Sequence, residues 1–325
     1  MAPLTGIFAV SKPTGITSTT ILDHLQHVCR LNKTHSLVQG VLSLDGSKRA
    51  KRGLVKIGHG GTLDPLARGI VVVGMGSGCK KLHKMSGSSK VYIAEGRLGF
   101  STATLDCTGS LVDTAPTEHI TKDLLLKALD VFKGEIEQTP PLYSALNMDG
   151  KRLYDYAREG IPLPREIPTR KVNIFALDLL SYPNETPDPT LKQLGFNVDG
   201  HVGSISGSTY KFKSGFVPKS IGDPDLDPAH VPVPTQGGLL FHIRVHCSSG
   251  TYIRTLISDI ATRLGTVGHM TDLLRVEQSG YKLGGDATLE MGDCEDIEKV
   301  NSAIQAGNLI WDKSHEEVTT SNASE

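Results

Sequence analysis

Residues 58–69 read Gly-His-Gly-Gly-Thr-Leu-Asp-Pro-Leu-Ala-Arg-Gly, and Ile70-Val71-Val72-Val73-Gly74 follows at once. A run this rich in β-branched residues belongs in a buried strand. The segment before it makes a stiff loop on the lip of the sheet. Glycines at 58, 60 and 61 let the backbone turn sharply and let a ligand approach without a Cβ in the way. Pro65 biases Asp64 toward an extended conformation. One carboxylate is thereby displayed at a sheet edge, an arrangement suited to chemistry on a bulky substrate. A plain Asp-Pro turn has the same local sequence, so the rest of the chain must decide between the two.

Along the chain, Ile7–Val10 reads as a buried strand that ends at Ser11-Lys12-Pro13. Ser18 is placed to cap a helix that carries Ile21, Leu25 and Val28 at helical spacing. Residues 33–53 are polar and basic and read as a flexible surface insertion containing Lys48, Arg49, Lys51 and Arg52. Residues 90–98, 171–180, 239–247 and 274–281 read as strands. Thr121 opens a helix that Gly134 stops, a short helix lies near 152–159, and another spans about 251–264. Residues 183–238 hold eight of the 17 prolines and read as a long, partly disordered insertion between two core strands. Strands outnumber helices without regular alternation, so the fold class is α+β, with a mixed, mostly antiparallel sheet flanked by helices and long insertions.

The net charge of −1 hides a split: residues 286–325 hold 10 acids and 2 bases, and the rest of the chain is basic. A basic body suits a polyanionic partner. No apolar run approaches the ~20 residues that cross a bilayer, so no membrane partner is expected. The start of the chain lacks a secretory pattern. The five cysteines are scattered and never form Cys-x-x-Cys, as expected of reduced intracellular thiols. Gly74–Lys80 only superficially resembles a phosphate loop. His242 and His246 share a strand face without a cluster that would complete a metal site. His24 and His27 are expected on a helix surface.

Three further segments join the Asp64 loop as carriers of chemistry. Tyr92 lies on the strand that begins at Lys90. The block 140–158 combines prolines with Tyr143, Tyr154 and Tyr156 and with Lys151, Arg152 and Arg158, a mixture used to stack bases and hold phosphates. Gly250-Thr251-Tyr252-Ile253-Arg254 places a guanidinium at a helix start, where it can hold a carboxylate in bidentate geometry. A lone acid argues against ordinary glycoside hydrolysis, which uses two carboxylates.

These blocks, in this order, resemble the TruB-type pseudouridine synthases, which isomerise the T-loop uridine of tRNA at conventional position 55. The resemblance rests on Gly-His-x-Gly-x-Leu-Asp-Pro at 58–65, Lys-x-Tyr at 90–92, Pro-Pro-x-Tyr-Ser-Ala-Leu at 140–146 and Gly-Thr-Tyr-Ile-Arg at 250–254. It implies the pseudouridine synthase fold over residues 1–282, with insertions at 33–53 and 183–238 like those of eukaryotic, especially fungal, members. Residues 283–325 are too few and too acidic for the PUA RNA-binding domain many relatives carry, and are expected to be an acidic tail.

By the same resemblance, Asp64 is the nucleophile, Tyr92 stacks on the base and serves in the final proton removal, and Arg254 pairs with Asp64. His59, Lys12, Pro13, Tyr143, Leu274 and Arg275 are implied to bind substrate. Lys48, Arg49, Lys51, Arg52 and Arg152 are candidates for the RNA backbone. No metal or organic cofactor is implied. The expected partner is the tRNA T-arm, with mRNA stem-loops as a further substrate class, acted on by a monomer in the nucleus, the mitochondrion or the cytoplasm. Ser11, Asn147 and Val276 depart from the family pattern outside the catalytic set. A tRNA-binding folding helper without essential catalysis is the alternative from another class, and an RNA N-glycosidase is a third.

Overall fold

A computed structural model describes residues 4–198, 211–217 and 231–321. The chain divides into two compact units. One is drawn from the described parts of Met1–Lys90, Ser206–Asp223 and Leu274–Glu325, the other from those of Val91–Ile205 and Pro224–Leu273. Each contains β-strands flanked by helices. The strand pairings are mixed and mostly antiparallel, as the sequence implies.

In the first unit the valine run lies within the strand Arg68–Met75, buried at every residue after Arg68. That strand pairs antiparallel with Gly6–Lys12, Ile7 opposite Gly74 and Lys12 opposite Gly69. Thr288–Glu290 runs parallel to the outer side of Gly6–Lys12. Leu274 and Arg275 run parallel to Arg68 and Gly69, and the short strand Ile57–His59 pairs antiparallel with the other end, His59 opposite Val73. Strand alternation puts Ile7, Ala9, Ile70 and Val72 on one face. There they pack with Leu82, Met85, Tyr281, Ala287 and Trp311.

Three expectations for this unit are corrected. Helix Ser18–Leu31 is capped by Thr17, whose hydroxyl accepts from the Thr20 amide. Ser18 sits one residue inside, and its hydroxyl serves elsewhere. Residues 33–53 are not a loose insertion but form the helix Ser36–Leu44, which buries Leu37, Val38 and Val41, and a 3-10 turn at Ala50–Arg52. Three apolar residues at helical spacing suffice because the helix is short and its other face is wet. Residues 283–325 contribute the strand Thr288–Glu290, the turn Met291–Glu295 and the helix Ile297–Ser321. Val300, Ala303, Ile304 and Trp311 of that helix are buried, an apolar stripe that the surrounding acids hid.

His24 is likewise not on the surface but fully buried. Residues 211–217 of the long insertion lie over helix Ser18–Leu31, with the Phe212 and Phe216 rings 4.6 and 5.4 Å from the His24 ring. Phe216 also stacks on His27 at 5.5 Å. The Ser214 amide donates to Glu295 Oε1, which lies 3.6 Å from His24 Nε2. The expected disorder of 199–210 and 218–230 falls outside the described residues.

In the second unit Leu239–Cys247 forms as read, and it pairs antiparallel with Arg170–Ser181, the strand that precedes the insertion. Arg170–Ser181 pairs in turn with Gly134–Gln138. Residues from Val91 of the strand Lys90–Leu98 and the first half of Gly268–Gln278 complete the sheet. Helices Lys122–Val131 and Ile253–Arg263 start close to the predicted places. The strand read from 274 begins six residues earlier, at Gly268, because His269 and Thr271 bury their polar groups on Phe100 O and Glu95 rather than in water. His242 is buried too, with Nε2 3.0 Å from Glu95 Oε2 and Nδ1 2.6 Å from Ser181 Oγ. Arg97, 1% exposed, spends its guanidinium on the carbonyls of Pro234, Gln236 and Gly237 and stacks over Phe100. The returning end of the insertion is thereby anchored.

Burial lowers the His24 pKa to about 4, against the opposing pull of Glu295. The unfolded chain, near 6.5, takes up its proton first, so stability contributed at this site falls as pH drops from about 6.5 to about 4. Denaturant midpoints at pH 7 and pH 5 should converge in His24→Gln relative to the parent protein. An equal pH loss in both proteins would exclude His24 as the source.

Candidate active site

The Asp64 loop belongs to the first unit, and its geometry follows from where its backbone groups go. Gly60 N donates to Val72 O. Gln278, fully buried, donates through Nε2 to Gly60 O at 2.6 Å and Met85 O at 2.8 Å. Arg275 donates to Gly61 O and, through Nε, to Ile70 O. Ser18 Oγ accepts from Leu63 N at 2.9 Å and donates to Leu63 O at 3.1 Å. Pro65 O accepts from Gly15 N and from Lys12 Nζ, and Asp64 O accepts from Ala67 N. Each tether comes from a side chain or strand already fixed in the core. Asp64 itself is half-buried, between buried Leu63 and exposed Pro65.

The glycines do a different job from the one expected. A Cβ on Gly60 would lie 2.7 Å from Met85 Cβ, and one on Gly58 3.0 Å from Leu82 Cδ1. Their bareness admits the helical segment 76–87, not a ligand. Gly61 alone of the three has a positive φ, +139°, which an L side chain rarely adopts.

Lys12 and Arg275, read from the sequence as substrate contacts, are each 1% exposed and hold the loop through its carbonyls. Lys12 Nζ also donates to Pro13 O and Ile16 O. Burial pulls its pKa from 10.5 to about 7, opposed by the Asp64 charge and reinforced by Arg275. Leu274 is buried beside Arg275, and Pro13 is half-buried. His59, on the strand Ile57–His59, is half-buried and its Nδ1 has no partner among the described residues. Burial first, and Arg275 second, lower its pKa from the ordinary 6.5, against the pull of the Gly61 backbone.

Tyr92, Arg254 and Tyr143 belong to the second unit. Tyr92 is 7% exposed on a strand that is buried throughout. Arg254 stands in the first turn of Ile253–Arg263. The chain enters that helix through Tyr252, whose N and O are both held by the Gln138 amide. The Arg254 guanidinium is 3% exposed. Its Nη1 donates to Thr104 O at 2.7 Å and its Nη2 to Tyr143 O at 2.8 Å. The carbonyl, not the ring, of Tyr143 thus fixes the arginine.

Sequence reasoning missed Asp106. Its Oδ2 lies 3.7 Å from Arg254 Nε, while Oδ1 accepts from Thr104 Oγ1, Thr108 N and Thr108 Oγ1. The carboxylate is thus fixed by three donors on one oxygen and faces a guanidinium with the other. The signal was present in Thr104-Leu-Asp-Cys-Thr108 as an Asp-x-Thr turn. Arg152 remains exposed, with a donor on Ala145 O. Tyr156 is packed with Met148 and Leu153 instead of presenting a face for stacking.

The family model described as TruB family pseudouridylate synthase (N terminal domain) matches residues 48–204. The chain is 34% identical to tRNA pseudouridine synthase 4 of Saccharomyces cerevisiae, over 93% of this chain and 84% of that one. It is therefore a member of the TruB family of pseudouridylate synthases. It is also 34% identical to the human pseudouridylate synthase TRUB1, across 86% of this chain and 62% of the relative. A chain in the crystal structure of a Cbf5-Nop10-Gar1 complex shares the fold, with a TM-score of 0.50 at 20% identity over 92% of this chain and 59% of that one.

Ser18→Ala strips both buried partners from Leu63, at an expected cost of about 1–3 kcal/mol. Chemical denaturation reads that loss, and exchange of the Leu63 amide should quicken with it. Asp64→Asn removes the charge that props up Lys12, so a carbon-13 titration of Lys12 Cε should move its midpoint below about 7.

Proposed function

We propose that this protein converts uridine to pseudouridine in the T-loop of tRNA, at conventional position 55, with Asp64 as the nucleophile. The observation that carries the reading is the mounting of Asp64: a half-buried carboxylate on a loop whose neighbouring backbone is tied down on both sides, in a chain of this family. An atom that must attack one position of a bulky substrate gains most from being held still.

The reaction is an isomerisation. The bond from N1 of uracil to the ribose C1′ breaks, the base turns, and C5 joins C1′. The C5 proton leaves and N1 takes one up. The target must first be everted from its folded loop, at about a few kcal/mol. Asp64 can add to the sugar, add to the base, or assist formation of a glycal. Tyr92 is assigned the platform for the everted base and the final proton removal. Arg254, with Asp106 and two carbonyls fixing its position, is assigned the cation that pairs with Asp64. His59 and Tyr143 are assigned contacts to the everted nucleotide. Lys12 and Arg275 act on it indirectly, through the loop. Stem-loops in mRNA that present the same loop belong to the same substrate class.

In Asp64→Asn, tritium release from tRNA labelled at uridine C5 should vanish while tRNA binding stays within a few-fold. Full release by the variant sinks the assignment. Tight binding without release by the parent protein supports the folding-helper reading instead.

A further inference from the structure

From Gly46 to Lys90 the chain carries ten lysines and arginines and a single acid, Asp64. The structure brings Arg49, Lys56 and Lys80 together beside the strand that leads into the Asp64 loop. The Lys56 carbonyl accepts from Gly76 N and from the Cys79 thiol. Ile57–His59 then pairs with Met75–Val73, and Gly58 and Gly60 rest on Leu82 and Met85. Arg49 and Lys56 lie close enough to the Cys79 thiol to act on it electrostatically. The next residues, Lys80 and Lys81, start the turn into helix Leu82–Gly87.

Lys48, Arg49, Lys51, Arg52, Lys56, Lys80 and Lys84 are all exposed. Among the described residues, none of Lys48, Arg49, Lys51, Arg52, Lys56 and Lys80 has a carboxylate within ion-pair distance. Lys81 and Lys84 stand over the Trp311 ring at 4.9 and 5.6 Å. Asp45 and Asp312 are the acids that act on Cys79 and Lys81, respectively. Exposed cations without partners add nothing to the fold, and massed on one face they repel one another. What relieves them is a polyanion, released of its own counterions as it binds.

We infer that this face, running from the 48–52 turn across Lys56 to Lys80, Lys81 and Lys84, binds the phosphate backbone of the substrate RNA outside the loop that carries the target. The inference rests on the proposed reaction for the identity of the polyanion. RNA is favoured over an anionic membrane because Lys56 directly precedes the short strand Ile57–His59, which ends at His59 in the Asp64 loop. The helix Ser36–Leu44 and the helix carrying Trp311 thus gain a common purpose: one supports the 48–52 turn and the other seats two lysines.

The test uses two variants of the full chain, Lys80→Gln/Lys81→Gln/Lys84→Gln and Lys48→Gln/Arg49→Gln/Lys51→Gln/Arg52→Gln. Binding of whole tRNA is measured across salt. Each lost phosphate contact removes about 0.7–0.9 from the slope of log affinity against log salt, so the first variant should lose about 2 units and the second more. Lys→Arg at 80, 81 and 84 keeps the charge and should restore the slope, which separates lost contacts from lost fold. Trp311 is the sole tryptophan, so its emission should change as tRNA binds the parent protein. An unchanged slope in either variant overturns the inference. So does an emission change brought about by anionic vesicles and not by tRNA. Tritium release by the parent protein with unchanged slopes in the variants rejects the surface alone. Falling slopes with no release by the parent protein reject the proposed reaction alone.

Discussion

The tethering of the Asp64 loop by buried side chains is the constraint on which the rest depends. A loop of glycines and a proline has little conformational preference strong enough to hold one acid still. Here the preference is supplied from outside. Ser18 reaches from a helix, Lys12 from a strand end, and Arg275 and Gln278 from a second strand. Each carries donors into a region from which water is largely excluded, where an unmet carbonyl would cost more than the side chain does. The loop backbone is therefore tied to the sheet and helix beside it. The cost appears in Lys12, an ammonium so buried that it holds its proton only to about pH 7.

Arg254 solves the matching problem for a cation. A buried guanidinium has five donors to satisfy, and carbonyls of Thr104 and Tyr143 take two directions while Asp106 supplies countercharge. Asp106 is in turn fixed by three hydrogen bonds from a threonine turn. Positioning passes from backbone to carboxylate to arginine. Asp106 is thus a positioning residue with no need to meet substrate.

How much of this was legible depended on whether the signal was local. The strands Lys90–Leu98 and Leu239–Cys247 were read to the residue, because an apolar run bounded by polar residues says all that a strand needs. The acid and the arginine were legible as types in sequence blocks. What could not be read was anything decided by a distant partner. Gly58 and Gly60 looked like room for a ligand and proved to be room for Leu82 and Met85. His24 looked exposed because nothing in its helix announces that residues 211–217 and Glu295 will cover it. The acidic composition of residues 286–325 obscured Val300, Ile304 and Trp311, since net charge averages over the very positions that a helix separates.

The first unit has a history written into its connectivity. Its opening strand, Gly6–Lys12, lies between Arg68–Met75 and Thr288–Glu290, and the helix that begins at Ile297 packs on it. The middle of the chain supplies the second unit, whereas the first is assembled from segments far apart in sequence. A strand near one end of the sequence thus depends for its outer flank on a segment nearly three hundred residues away.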